Sequence, residues 1–131
     1  EPKLLGKPMA TDAFGNTADV NTIANTDNLF FSEKMRTLFI GEDSGMHVNN
    51  FVWAYNVDTQ QLTRILSLTA GAESTGLQVV ENLNGHAYIM SNAQHHGDFP
   101  STINTDLKAR LNPLIDKFHA PVGYIGGIPG L

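Results

Sequence analysis

The sequence predicts an all-β protein built mainly from antiparallel strands, and three observations support this prediction. Short apolar runs separated by turn-forming residues occur at 28–32, 37–41, 51–57 and 62–68. In the third run, Phe51, Trp53 and Tyr55 recur at every second position and share one face, which is typical of a strand with one buried side. A similar pattern returns after residue 75. Helical spacing is confined to a segment near the C-terminus.

The composition excludes several classes of protein. A chain of 131 residues can hold one domain with a substantial core. With 41% apolar and 16% charged residues it is neither a disordered segment nor a coiled coil. The net charge is -5 and the eight basic residues are scattered, which argues against a nucleic-acid partner or an anionic membrane surface. No apolar run approaches the roughly 20 residues of a membrane span.

The first half of the chain divides into a loop and a four-stranded unit. Residues 1–26 are rich in Asn, Thr, Ala, Gly and Pro without a sustained period, and they predict a long surface loop. Residues 27–70 predict two hairpins, with polar connectors at 33–36 and 58–61. We interpret the aromatic stripe of the third strand as core between two sheets.

An internal repeat predicts the arrangement of the strands. Leu29 aligns with Leu77 at an offset of 48 residues, and Leu38 aligns with Ala87 at 49 after one extra turn residue. Units of 40–50 residues with four strands each are typical of β-propeller blades. We therefore predict about two blades, at 27–70 and 73–131, in one partial domain that is the C-terminal part of a larger propeller. A plain antiparallel meander is the alternative.

Two blades do not close a ring, because propellers use about four to eight. The open sheets must then be covered by the remainder of the propeller or by self-association. The last unit also carries an insertion. Four apolar residues at helical spacing predict a helical segment at about 103–118: Leu107, Leu111, Leu114 and Phe118. Pro113 interrupts this spacing, so Asn112 is expected to act as N-cap of a second short helix. A final strand is expected at 120–127.

Acidic residues stand at the ends of the predicted hairpins. Asp27 precedes the first strand, and Glu42 and Asp43 follow its partner. In the next unit Glu73 precedes the first strand. Antiparallel pairing brings the start of one strand and the end of its partner to the same edge, so these carboxylates should converge. They would repel one another unless a cation neutralised them, and oxygen ligands suit Ca²⁺. Read separately, the 42–45 segment could also be an ordinary turn.

Two further residues are predicted to support these ligands. The imidazole of His95 could bind a transition metal or orient a carboxylate ligand, and the amide of Asn28 adjoins Asp27. His95 and His96 are neighbours, so at most one of them should face the acidic cluster. The other three histidines are predicted to be surface residues: His47, His86 and His119.

Three motifs follow one another between Thr26 and Gly97. D-N-L opens a strand at 27–29, an acidic residue closes the partner strand at 42–43, and E-x-T-G at 73–76 precedes Q-H-x-G at 94–97. In this order they resemble the C-terminal portion of the PhoX-type alkaline phosphatases. The resemblance implies a six-bladed β-propeller in the periplasm or secreted, where a cluster of Ca²⁺ and Fe³⁺ hydrolyses phosphate monoesters.

The resemblance also implies roles for individual residues. Glu73 matches the glutamate of the family's E-x-T-G motif and is the leading metal ligand, while Asp27, Glu42 and Asp43 occupy matching motif positions. His95 matches the histidine of Q-H-x-G and is expected to support a ligand. The family's cysteine ligand to iron is absent, because the chain has no cysteine. Ca²⁺ is therefore favoured over iron in this chain.

Together these features predict the C-terminal fragment of a metal-dependent phosphatase, which is inactive alone and whose intact form would hydrolyse a phosphate ester. One alternative is a Ca²⁺-dependent, lactonase-like propeller hydrolase, which also gathers carboxylates and amides at its channel mouth. Another is a non-catalytic propeller module for binding or assembly, in which the acidic residues form a structural calcium site.

Overall fold

The computed structural model describes residues 4–131 and contains two antiparallel β-sheets packed face to face. The first sheet has the order β1-β2-β3-β4, with bounds Thr26–Ser32, Thr37–Glu42, Phe51–Asn56 and Gln61–Ser67. The second has the order β5-β6-β7, with bounds Glu73–Leu83, His86–Gln94 and Val122–Pro129. One α-helix, α1, spans Thr105–Leu111, and a 3-10 turn follows at Asn112–Leu114. The prediction of a mainly antiparallel all-β fold is therefore confirmed.

Three hairpin turns contain residues with the left-handed backbone conformation that tight turns require. Arg36, Gln60 and Asn84 have φ values of 51°, 57° and 52°, in the left-handed region that tight turns use. Asn84 and Gly85 join β5 to β6 directly, because Leu83 pairs with His86. Asn-Gly is the preferred sequence for such two-residue hairpins. Ser32 pairs with Thr37 and Phe31 with Leu38, so residues 33–36 form the connector predicted for the first hairpin.

The apolar layer between the sheets is built from alternating residues of both. Phe39 and Val52 of the first sheet pack against Leu77 and Ile89 of the second. All four are nearly inaccessible to solvent, with exposed fractions of 8% or less. Burying side chains of this size stabilises the fold by about 1.5–3 kcal/mol each. This layer therefore fixes how the two sheets sit on each other.

The aromatic stripe lies on the opposite face of the first sheet. Phe51, Trp53 and Tyr55 are buried, as the alternation predicts, and the rings of Phe51 and Trp53 meet edge to face at 5.8 Å. The stripe was interpreted as core between two sheets, and this was wrong. It packs against Ile23 and Val20, which precede the first strand.

Residues 4–25 therefore contribute to the core of the protein. They form no named strand, in keeping with their composition, and their one β-bridge joins Pro8 to Ala18. Ile23 and Ala24 are nevertheless buried at 2% and 3% exposure. The segment covers the aromatic face of the first sheet, and it is not simply the surface loop that the sequence predicts. Residues 1–3 of the predicted loop lie outside the described part of the chain.

The structure is consistent with the aligned part of the repeat, which covers the first two strands of each unit. Leu29 pairs with Ile40 on the aromatic side of the first sheet, and Leu77 faces the first sheet from the second, so both aligned residues point the same way. The first unit has the four strands predicted for it. The second has three within residues 4–131, so the prediction of four strands there was wrong.

The insertion near the C-terminus is helical over a shorter range than predicted. Asn104 caps α1, since its side-chain oxygen accepts the N–H of Leu107 at 3.0 Å. Asn112 was expected to be an N-cap and instead ends α1, with its N–H donating to the carbonyl of Lys108. Helical structure stops at Leu114, and Phe118 is 93% exposed. Within residues 4–131, no helix has the length and apolarity needed to cross a membrane.

Candidate metal centre

Three side chains converge where the ends of the two sheets meet. Asp43 directly follows β2, Glu73 opens β5, and His95 directly follows β6. One ligand atom of each lies within 4.8 Å of the other two. Glu73 and His95 are neighbours because β5 and β6 pair antiparallel, with Glu73 opposite Gln94. Asp43 comes from the other sheet, so the cluster joins three separate segments of the chain.

A close contact between the sheets brings Asp43 to Glu73. A Cβ atom on Gly41 would lie only 2.5 Å from the Oγ of Ser74, so β2 and β5 can approach this closely because residue 41 is glycine. Ser74 is fully buried and its Oγ lies 3.0 Å from that of Ser91. The acidic residues at 43 and 73 lie just beyond this contact. Sheet packing therefore sets the distance between them.

His95 holds Glu73 through a hydrogen bond and has a left-handed backbone conformation. Its Nε2 lies 2.9 Å from Oε2 of Glu73. The φ of His95 is 38°, which costs a non-glycine residue about 1 kcal/mol. Such strain persists where the surroundings enforce it and is concentrated at functional sites. The side chain of Glu73 is 11% exposed and that of His95 38%, so the pair is only partly open to solvent.

The electrostatics of the cluster favour an added positive charge. Burial is the main reason that the pKa of Glu73 is raised, and Asp27 and Asp43 raise it further, while the hydrogen bond from His95 opposes the rise. Partial burial lowers the pKa of His95, but the hydrogen bond to Glu73 and the charges of Glu73 and Asp43 outweigh burial and leave this pKa raised. A bound cation would remove the same excess of negative charge.

Asp27 and Asn28 lie beside these three residues. Asp27 is not one of the three whose ligand atoms converge, but it is close enough to raise the pKa of Glu73 through a side-chain hydrogen bond. The Nδ2 of Asn28 lies 2.6 Å from Oδ2 of Asp27 and 3.1 Å from the carbonyl oxygen of Ser74. Asn28 thus connects Asp27 to the strand that carries Glu73. Both residues stand at the predicted edge, and their roles stay predictions.

Glu42 is placed differently from its neighbour Asp43. It is fully buried, with an exposed fraction of 0%. Its Oε1 accepts the N–H of Ala24 at 2.9 Å and the indole N–H of Trp53 at 2.8 Å. Its Oε2 accepts the N–H of Phe51 and pairs with Nδ1 of His47, both at 3.0 Å. Four partners occupy the carboxylate, and it lies in the core beside the aromatic stripe, not in the cluster.

The histidines also divide between core and surface. His47 was predicted to be a surface residue, and this was wrong, since its side chain is fully buried against Glu42 and lies 5.2 Å from the ring of Phe51. His86 and His119 are exposed, as predicted. His96 is buried and its Nε2 contacts the carbonyl of Asp116, whereas His95 faces the cluster. One of the two adjacent histidines therefore faces the acidic residues, as expected.

Comparison with protein-family models, curated proteins and solved structures finds no match for this chain. The resemblance to PhoX-type alkaline phosphatases therefore rests on the order and spacing of the motifs alone.

The donor atoms of the cluster suit a divalent cation. Two carboxylates and one imidazole provide hard oxygen ligands and one nitrogen ligand, with a third carboxylate nearby. Carboxylate oxygens are the ligands that Ca²⁺ and Mn²⁺ prefer, while an imidazole also suits Zn²⁺ or Fe²⁺. No thiolate is available, since the chain has no cysteine. The residues present thus fit an ion bound by oxygen, or by oxygen and nitrogen together.

Proposed function

We propose that Asp43, Glu73 and His95 form a binding site for a divalent cation in the C-terminal part of a β-propeller phosphatase. The observation that carries this proposal is the convergence of three ligand atoms within 4.8 Å from three separate segments of the chain. The phosphatase assignment is supported by the order of the D-N-L, E-x-T-G and Q-H-x-G motifs. The same resemblance favours Ca²⁺ over Fe³⁺ as the bound ion and implies that the protein acts in the periplasm or outside the cell.

In this proposal each residue has a defined part. Glu73 and Asp43 supply carboxylate oxygens from opposite sheets, and Asp27 supplies a further negative charge. His95 fixes the orientation of Glu73 through its hydrogen bond, or binds the ion itself through Nε2. A cation held there would polarise a phosphate oxygen and neutralise charge that develops during hydrolysis. The chain contributes only part of a propeller, so we expect it to bind metal but not to turn over substrate alone.

Metal binding is tested on the chain itself. Calorimetry and thermal unfolding with Ca²⁺, Mn²⁺ and Zn²⁺ should show saturable binding to the wild-type protein. A ligand at 100 times its dissociation constant stabilises the folded state by about 2.7 kcal/mol. Glu73→Gln and Asp43→Asn should each lose this stabilisation. Glu33→Gln removes the same charge from an exposed turn at the far end of the first hairpin and should retain it. Equal binding by all four proteins would refute the site.

Hydrolysis is tested on the intact protein. We expect turnover of p-nitrophenyl phosphate that depends on Ca²⁺ and falls strongly in Glu73→Gln. Turnover of a lactone without turnover of the phosphate ester would favour the lactonase-like alternative. Wild-type phosphatase activity in a folded Glu73→Gln variant would count against a role for this site in catalysis.

A second candidate is a structural cation site in a non-catalytic propeller module. It is favoured by the origin of the ligands, because Asp43 belongs to the first sheet and Glu73 and His95 to the second. An ion bound between them would tie the sheets together. Strong thermal stabilisation by Ca²⁺, with no hydrolysis of either ester class by the intact protein, would support this candidate over the phosphatase.

A further inference from the structure

The outer edge of β7 is open. The first sheet has a fourth strand, β4, beside its third, whereas the second sheet ends at its third strand, β7. No other strand of residues 4–131 lies beyond β7. The side chains of Val122 and Tyr124 are largely in solvent, with exposed fractions of 79% and 68%. The second sheet therefore ends in a strand that has one unpaired side.

The register shows which backbone groups face that open side. The N–H of Ala93 on β6 donates to the carbonyl of Pro121 at 3.0 Å, and Gly123 pairs with Ser91 two residues further along. Hydrogen-bonded and non-hydrogen-bonded pairs alternate in an antiparallel ladder. Residues 121 and 123 thus point their backbone groups towards β6. It follows that Val122 and Tyr124 direct theirs towards the open edge.

Charge distinguishes β7 from the other edge strands among residues 4–131. The two edges of the first sheet carry Asp27 on β1 and Arg64 on β4, and β5 carries Glu73 and Glu81. Charged side chains on an edge strand discourage pairing with another chain. Residues 120–131 contain no charged side chain at all. On a protein with a net charge of -5, the side chains of this edge add no charge that would repel a second copy.

We propose that two copies of this chain associate by pairing β7 with β7 in antiparallel orientation around a twofold axis. Val122 of one copy would then lie opposite Tyr124 of the other, and the two three-stranded sheets would form one six-stranded sheet. A self-complementary edge of this kind gives a closed dimer. The ring of Tyr124 already packs against that of Tyr88 at 5.5 Å, which gives the paired strands an aromatic patch on one face.

A β-bulge limits the length of this pairing. Ala87 pairs with Ile128 and Ile89 with Ile125, so one residue of β6 lies opposite two of β7, Gly126 and Gly127, and Gly127 has a φ of 75°. Bulges twist an edge away from a partner. The pairing therefore uses the straight part of the strand, residues 122–125. The association should accordingly be reversible and dependent on concentration.

Sedimentation velocity over a wide concentration range tests the proposal, with and without a chelator so that the outcome is independent of the cation site. The wild-type chain should pass from monomer to dimer in both conditions. Tyr124→Pro removes an N–H that faces the open edge and no hydrogen bond to β6, so it should leave the chain monomeric. Tyr124→Lys, which introduces a charge at the edge, should do the same.

Val80→Lys is the matched control. Val80 is 37% exposed and pairs with Tyr88, so its side chain lies on the same outer face of the second sheet but on the strand farthest from β7. It should dimerise like the wild type. If Val80→Lys dissociates as completely as Tyr124→Lys, the copies stack through sheet faces and the edge pairing is wrong. A wild-type chain that stays monomeric at every concentration overturns the proposal outright, and leaves the edge to an extended segment of another protein.

Hydrogen exchange keeps the proposal falsifiable should the Tyr124 variants fail to fold. In the wild-type chain, the amides of Val122 and Tyr124 should exchange more slowly as concentration rises. Unchanged exchange at these two positions in a sample that sediments as a dimer would place the interface elsewhere.

Discussion

Replacing Glu42 by Gln tests the interior role that the structure gives to this residue. The side-chain oxygens of Glu42 accept three N–H groups and pair with Nδ1 of His47, whereas an amide accepts at one atom and donates at the other. If the amide nitrogen replaces Oε1, it faces the N–H groups of Ala24 and Trp53, which are donors themselves. If it replaces Oε2, the N–H of Phe51 loses its acceptor.

The orientation with the amide nitrogen in place of Oε2 costs less, but it still leaves buried groups without hydrogen-bond partners. The amide could donate to Nδ1 of His47 once the ring proton moves to Nε2, but Nε2 is buried and has no hydrogen-bond partner. A buried N–H without a partner costs about 1–3 kcal/mol, and bonds to a neutral acceptor are about half as strong as bonds to a charged one. Removing a buried charge offsets part of this loss. We expect a net destabilisation of about 3 kcal/mol.

Denaturant unfolding followed by Trp53 fluorescence, together with calorimetry, measures this effect. For a domain of this size, 3 kcal/mol corresponds to a fall in the melting temperature of about 10 °C. Asp43→Asn is the matched control, since it neutralises the adjacent, exposed carboxylate and should change stability without added metal by less than about 0.5 kcal/mol. The reasoning fails if Glu42→Gln is as stable as Asp43→Asn, because the four hydrogen bonds would then contribute nothing.

Two further predictions concern packing and pH. Gly41→Ala should lower the free energy of unfolding, measured in urea, by about 1–3 kcal/mol, because the new methyl group would lie 2.5 Å from Oγ and 2.9 Å from Cβ of Ser74. Gly45→Ala is the control and should be close to neutral, since a Cβ atom there would have nothing within 4 Å. Similar values for the two variants would contradict this account of the sheet contact. Burial raises the pKa of Asp12, but hydrogen bonds from the Asn16 side chain and from the backbone N–H groups of residues 14–16 outweigh burial and leave this pKa lowered. The stabilisation from Asp12 is therefore complete above the ordinary aspartate pKa of about 4 and is lost as the pH falls through the lower value of the folded state. Asp12→Asn should flatten the acid side of the stability profile, and an unchanged profile between about pH 5 and 2 would contradict this.

The sequence predicted the strands better than it predicted which acids converge. Period-two alternation and turn residues were sufficient for the first four strands, because each lies next to its partner along the chain. The same alternation separates Glu42 from Asp43, since consecutive strand residues point to opposite faces. Glu42 accordingly turns into the core, while Asp43 stays exposed. A core tryptophan also needs an acceptor for its indole N–H, and Glu42 meets that need for Trp53.

Other features depended on contacts between distant segments. Nothing near His47 in sequence predicts that residues 16–18 bond to Met46 and Val48 on either side of it, where its own side chain is fully buried. The approach of Gly41 to Ser74, which brings Asp43 to Glu73, is a property of how two sheets pack and not of either strand alone. The sequence repeat covers only the first two strands of each unit, so it does not specify how many strands complete the second sheet. Local patterns thus specified the elements, whereas sheet packing specified which side chains meet.

The cover formed by residues 4–25 has a practical consequence for anyone who trims this chain. A version that started at Thr26 would retain every named strand, yet it would lose Ile23 from the aromatic face and one donor from Glu42. The indole of Trp53 would then lie next to water, and its emission would shift to longer wavelength. A protease cut between residues 4 and 25 should therefore loosen the first sheet from its far side, although no strand is severed.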